Sequence, residues 1–331
     1  MEVARRIDEL AKSGKPHLLR GRWETFSLRY ANFPLGRIEQ LGNHWEAARV
    51  FWKLALYQER AEIDPVLCLK IQTENVTGLT LDIPQSLTQP MRTSTLFLLQ
   101  KPGKTDEFDK AYFTQNSDGS LSASCNYTEK LGWRAAPPKS SGLHKKHGLQ
   151  GPIDDAFMDS FIFVRPTGKA ANEKAGAWAK AEMERAIEHW RRHFRGEARV
   201  KDDTAITEDD IQSANLILWG DPSSNALIAK TAAQLPISWT GSEIKAGTKT
   251  FPAADHALIC IYPNPLNPER YLVLNSSFTF REYDYLNNAR QTPKLPDWAV
   301  IDLNQAPNAR TPGGIAAADF FGEKWQLKPA E

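Results

Sequence analysis

Residues 214–236, ANLILWGDPSSNALIAKTAAQLP, constrain the fold more than any other stretch. Leu216 to Trp219 is an unbroken apolar run, the pattern of a strand covered on both faces. Gly220-Asp221 then supplies a tight turn, and Pro222 or the Ser223-Ser224-Asn225 run starts a helix carrying Leu227, Ile228, Ala232 and Leu235. Gly220 is expected where the backbone needs a positive φ or a close approach. Asp221 is expected to cap the helix or to orient the 263–268 loop. The turn lacks the Gly-x-Gly-x-x-Gly spacing and the phosphate-loop lysine, and Asp221 would repel phosphate.

Around this unit the second half reads as α/β. Short buried strands are expected at 161–165, 257–263, 271–276 and 298–303. Residues 172–195 form a long helix whose stripe is Met183, Ile187, Trp190 and Phe194. Strands alternating with helices predict a three-layer domain with a mostly parallel sheet. The strands from 257 and 271 are too close for a helical crossover, so they are read as antiparallel or joined by an irregular loop. Ligands of open α/β sheets sit beyond the carboxyl ends of the strands. Asp221, Ser223, Asn225, Asn264, Asn267 and Asn275 are the candidates for that edge, as a ligand site or a domain contact. They suit a peptide, a glycan or a neighbouring domain better than a phosphate.

The first half has a different period. Residues 23–30 alternate, and TLFLLQ, AYFTQ, LSASCNY and GWRAAP follow as short runs. PVLCLKIQTENV and TGLTLDIP alternate too, with Thr73-Glu74-Asn75 as turn chemistry. Residues 45–58 mix helix formers with Val50, Phe51 and Trp52 and are read as strand. Short strands with polar turns predict a β-sandwich-like domain over 20–137. Before it, EVARRIDELAK (2–12) has helical spacing, and a helix so short needs a surface to bury its stripe. The expected organisation, α+β and α/β, is therefore a helix within 1–19, the strand-rich domain, a linker over 138–150, and an α/β domain over 151–331. Pro-Pro, Ser-Ser-Gly and four basic residues mark 134–149 as a solvated connector.

Composition excludes some function classes. A net charge of +1 on 331 residues leaves no electrostatic footprint for nucleic acid or an anionic membrane. No run approaches the ~18 apolar residues of a membrane span. Three cysteines can close at most one pair. His144 and His147 lie in the connector, and His189 and His193 are spaced for zinc but read as surface residues with no third ligand. No metal or cofactor is expected.

Catalysis has little support. The Gly-x-Ser-x-Gly elbow is missing. Asp302, Ser223 and His256 could be assembled as a hydrolytic trio at the 220–225 turn, but any large domain offers such a trio. Asp154-Asp155 is a paired-carboxylate candidate, with helix capping as the ordinary reading.

Four blocks carry a resemblance: HGLQGPIDDAFMDSFIFVRPTG, NLILWGDPSSN, YPNPLNPERYLVLNSSFTFREYDYLNNA and KLPDWAVID. With TENVTGLTLDIP and the opening IDEL…FSLRYA, they resemble the region after the catalytic domain of large bacterial prolyl-oligopeptidase-like proteins. The resemblance implies a β-rich segment followed by an α/β module, attached to an upstream or separate α/β-hydrolase domain. It implies a secreted or periplasmic parent, and a truncated, fragmentary or split origin for a chain lacking a signal peptide. None of that family's catalytic residues maps onto this sequence. The implied role is non-catalytic: docking, substrate access or stability. The competing readings are a hydrolase at the 220–225 turn and a carbohydrate- or peptide-binding module.

Overall fold

The computed structural model describes residues 20–57, 66–85, 94–100, 107–114, 116–135 and 142–329. The expected helix at 2–12 lies outside them. The protein is a mixed α+β chain, mostly sheet, dividing into two compact units, Met1–Ser141 and Gly142–Glu331.

Among the described residues the first unit has ten strands in two five-stranded sheets. One sheet runs β1 (Arg20–Thr25), β4 (Ala48–Tyr57), β5 (Val66–Glu74), β7 (Ser94–Gln100), β8 (Phe108–Thr114). The other runs β10 (Gly132–Ala135), β9 (Leu121–Thr128), β6 (Val76–Ile83), β3 (Gly36–Leu41), β2 (Asn32–Phe33). Period-two alternation gives each sheet one apolar face. Val50, Trp52 and Ile71 from the first sheet share one core with Ile38, Leu79, Leu81 and Cys125 from the second. Within the ambiguous 45–58 segment, Ala48–Tyr57 is strand, as β4 pairs with β5 over nine positions from Arg49 to Tyr57, while 45–47 precede it as turn. The alternation at 23–30 does not run through. The Thr25 hydroxyl bonds the backbone of Ser27, and Ser27 Oγ accepts from Arg29 N at 3.2 Å, starting a 3-10 turn at Leu28. Side-chain bonding to the local backbone wins over the ladder there.

The second unit is built on a seven-stranded sheet in the order β12 (Val200–Asp202), β11 (Phe161–Arg165), β13 (Asn215–Leu218), β18 (Asn267–Leu274), β17 (His256–Asn264), β19 (Trp298–Asp302), β20 (Gly314–Asp319). The expectation of a mostly parallel sheet is corrected. The β11–β12, β11–β13 and β13–β18 pairs are parallel, and the β18–β17, β17–β19 and β19–β20 pairs are antiparallel. Helical crossovers serve only the first group; hairpins and irregular loops serve the second. Every residue of β13 is buried, which requires cover on both faces. A three-stranded sheet, β14 (Ser238–Trp239), β15 (Glu243–Ala246) and β16 (Lys249–Pro252), completes the unit.

The long helix α1 spans Glu173–Phe194. Its buried face is Ala175, Trp178, Ala179, Glu182, Met183, Ala186 and His189, about a quarter turn from the expected stripe. Phe194 is exposed. Glu182 belongs inside because Arg281 meets it with two bonds of 2.7 and 3.1 Å, both side chains being nearly buried. A count of apolar residues alone cannot register such a pair. His189 is corrected from surface to core: it is 3% exposed and packs against Phe280 and Tyr285.

The connector reading is corrected as well. Residues 142–150 belong to the second unit, and Lys145 is buried. Its ammonium bonds Asp297 Oδ2 at 2.6 Å, and both side chains are fully buried. Phe321 N donates to the same oxygen at 2.9 Å, and Trp325 presents its ring 5.0 Å from Lys145 Nζ. Gly151, at φ +72°, lies so close that a Cβ there would collide with Asp297 Oδ1. A buried charge persists only when paired and hydrogen-bonded, and this one is both.

Candidate functional site

The strand-turn-helix unit forms as expected, and its turn is a closed knot of hydrogen bonds. Gly220 has φ +102°, and a Cβ there would meet Ser224 Oγ at 2.5 Å and Pro166 at 3.1 Å. Asp221 Oδ1 accepts from Ser223 N at 3.0 Å and Ser224 N at 2.8 Å, and Oδ2 accepts from Ala171 N at 2.8 Å. Asp221 therefore fastens the 166–172 loop, not the expected 263–268 loop. Asn225 caps the helix α3 (Ala226–Thr231) through Leu227 N and Ile228 N, and its amide donates to Trp219 O at 3.0 Å. (The short helix α2 is Glu208–Ser213.) Asn275, in the left-handed region at φ 50°, clips Gly220 through both its N–H and its C=O.

Of the six expected edge residues, Asp221, Ser223, Asn225 and Asn275 meet at the carboxyl ends of β13 and β18. Asn264 and Asn267 do not. The hairpin between β17 and β18 turns at their level, and β18 runs parallel to β13, so this turn lies at the amino end of β13. There the Asn267 amide donates to Ile211 O at 3.0 Å in α2, and Asn264 Oδ1 accepts from Leu266 N. We expect Gly220→Val to destabilise the second unit by about 1–3 kcal/mol or more through backbone strain and the Ser224 collision. Thermal melting checks it, and an unchanged melting temperature would show the turn to be slack.

The catalytic candidates are not assembled. His256 and Asp302 are register partners on β17 and β19, but His256 Nδ1 faces Pro252 O at 2.9 Å. Among the described residues no hydrogen bond joins Ser223 to His256. Asp154 and Asp155 sit in the 3-10 turn Ile153–Phe157, each already engaged. Thr279 donates N–H and O–H to Asp154 at 3.0 and 2.5 Å, and Tyr271 donates its hydroxyl to Asp155 at 2.8 Å. Burial pushes the Asp154 carboxyl up to about 6, against the pull of those Thr279 bonds. The three cysteines are free and buried, and burial pushes the Cys125 thiol up to about 12. Among the described residues no three His, Cys, Asp or Glu side chains converge as a metal site.

The concave feature of this edge lies beside the knot. A groove of about 1100 Å³ is bounded by the 165–171 loop, one flank of α1, Val200 of β12 and the Trp219–Ser224 turn. Its apolar wall is Met183, Ile187, Val200 and Trp219, and Gly176 lets α1 approach Ala170, where a Cβ would meet the Ala170 methyl at 2.6 Å. Arg165, Lys169 and Lys180 face it with Glu173 and Glu184. Arg165 is held by Asp202 at 2.9 Å. The indole Nε1 of Trp219, itself 1% exposed, has no acceptor among the described residues. Sequence reasoning missed this wall. Its trace was the Gly176-Ala177 pair, small residues on the α1 flank that also carries Lys180 and Met183. The chain matches no family profile, no curated protein and no solved structure.

Proposed function

We propose that this chain is a non-catalytic accessory region that offers the groove along α1 to a segment of a partner protein. The single observation behind this reading is a large open groove beside a strand edge whose Asp221, Asn225 and Asn275 side chains are consumed by internal bonds. A reactive site needs a nucleophile within reach of its base, and Ser223 and His256 make no such bond. In this reading the first unit is a β-sandwich and the second a layered α/β module. The whole corresponds to the region that follows the catalytic domain in prolyl-oligopeptidase-like proteins, with an α/β-hydrolase domain as its upstream or separate companion. A glycan is the weaker ligand. Sugars stack on exposed aromatic faces, and the groove's one aromatic, Trp219, is buried.

Two measurements test the proposal. A fluorophosphonate probe should leave the protein unlabelled; labelling that disappears in Ser223→Ala would restore the hydrolase reading. In a fluorescence-polarisation screen of peptides, binders should lose affinity for Ala177→Trp, which fills the groove. Peptide binding indifferent to that substitution would place the interaction elsewhere.

A further inference from the structure

We infer that Lys145 and Asp297 are a self-modification site, at which the two side chains condense into an intramolecular amide that clamps the 142–150 segment to the start of β19. The inference stands apart from the groove and does not use it. Both side chains are fully buried, and Lys145 Nζ lies 2.6 Å from Asp297 Oδ2. The carboxyl carbon of Asp297 is one bond further on, about 3–4 Å from the nitrogen, close to the separation from which held groups react. The backbones on either side are fixed as well. Lys145 N donates to Glu323 O at 2.8 Å, and Asp297 O accepts from Ile261 N at 2.8 Å. Gly151 packs on Asp297 Oδ1, Phe321 N donates to Oδ2 at 2.9 Å, and the Trp325 ring lies 5.0 Å from Nζ. Groups held in such contact behave as if at a concentration on the order of 10⁵ M or more.

The step needs no reagent. A proton passes from the ammonium to the carboxylate along their hydrogen bond, and away from water a neutral amine and a neutral acid cost less than two charges. The amine lone pair then attacks the carboxyl carbon. The N–C bond forms, charge gathers on Oδ2 where the Phe321 N–H already points, and the C–Oδ1 bond breaks. Oδ1 leaves as water, carrying two of the three ammonium protons, and the third stays on the amide nitrogen. Nothing is oxidised or reduced. The ion pair of the freshly folded chain is the reactant, and the product is a bond between residues 152 apart that no reductant opens.

The test is the intact mass of the full chain, denatured after the folded protein has stood for weeks at room temperature. A species lighter than the sequence mass by one water should accumulate, and trypsin should release the Lys145 and Asp297 peptides joined to each other. Protein kept unfolded in urea should hold the sequence mass, as should Lys145→Arg, which keeps the cation without the nucleophilic amine. Asp297→Asn loses ammonia in the same attack and should reach the final mass of the wild type. A folded wild type that keeps the sequence mass overturns the inference. A loss of one water that persists in Lys145→Arg also overturns it, in favour of a backbone succinimide at another aspartate. Should Lys145→Arg not fold, the wild-type digest decides alone: a loss of one water without the joined peptides overturns the inference equally.

Discussion

Lys145→Met should lower the stability of the second unit by about 3–5 kcal/mol, the loss typical when one member of a buried ion pair is removed. The substitution leaves Asp297 fully enclosed beside Trp325 with its cation gone. For a unit of this size the melting temperature should fall by about 6–20 °C. Lys145→Met combined with Asp297→Asn should recover part of the loss, because the amide oxygen still accepts from Phe321 N while the isolated charge disappears. A single variant melting within a degree of the wild type would mean that water reaches the pair.

The second large effect is a pair of opposing pH dependences. Burial, with Arg185 adding to it, pulls the His189 imidazole down to about 3, and neither ring nitrogen has a partner among the described residues. Its folded pKa lies below its ordinary value of 6.5, so the stability it permits is complete above that pH and is lost as pH falls towards 3. Asp154 behaves oppositely. Its folded pKa of about 6 lies above the ordinary 3.8, so its contribution is present below pH 3.8 and is lost as pH rises through 6. Between about pH 4 and 6 the two slopes, ~1.4 kcal/mol per pH unit each, offset one another. His189→Phe should therefore gain on the wild type as pH falls through this window. Asp154→Asn should gain as pH rises through it. Urea denaturation at half-unit pH steps measures both. Parallel curves for the wild type and either variant would sink the assignment for that residue.

What the sequence made legible was local. The period-two runs of the first half became strands because alternation is a property of neighbours, and β4 was settled by its β-branched and aromatic residues despite its helix formers. The 220–225 turn was legible too, since Gly220 and Asn225 act within a few residues of themselves. The errors concern partners far along the chain. Lys145 reads as solvated until Asp297 is brought to it, and the apolar stripe of α1 gives no sign that Glu182 pairs with Arg281 on the buried face. The misplaced Asn264 and Asn267 have a different cause. Antiparallel pairing of the 257 and 271 strands was foreseen, but its consequence was not: the turn of such a hairpin must point away from the edge where β13 ends. The groove escaped because it is defined by what small side chains leave unfilled.

The two halves of the seven-stranded sheet also impose an order of assembly. On the antiparallel side, β17 and β18 are joined across Pro265 and Leu266 alone, and β19 reaches β20 through the short 303–313 connection. Closing such loops costs little chain entropy, so these contacts come early. The parallel side must wait. β11 meets β12 only after α1 has been laid across the intervening chain, and β13 meets β18 only once the early hairpin offers an edge. The groove lies on the parallel side, where every pairing spans a long stretch of chain, so amide hydrogen exchange is expected to be faster there than in the β17–β18 and β19–β20 hairpins.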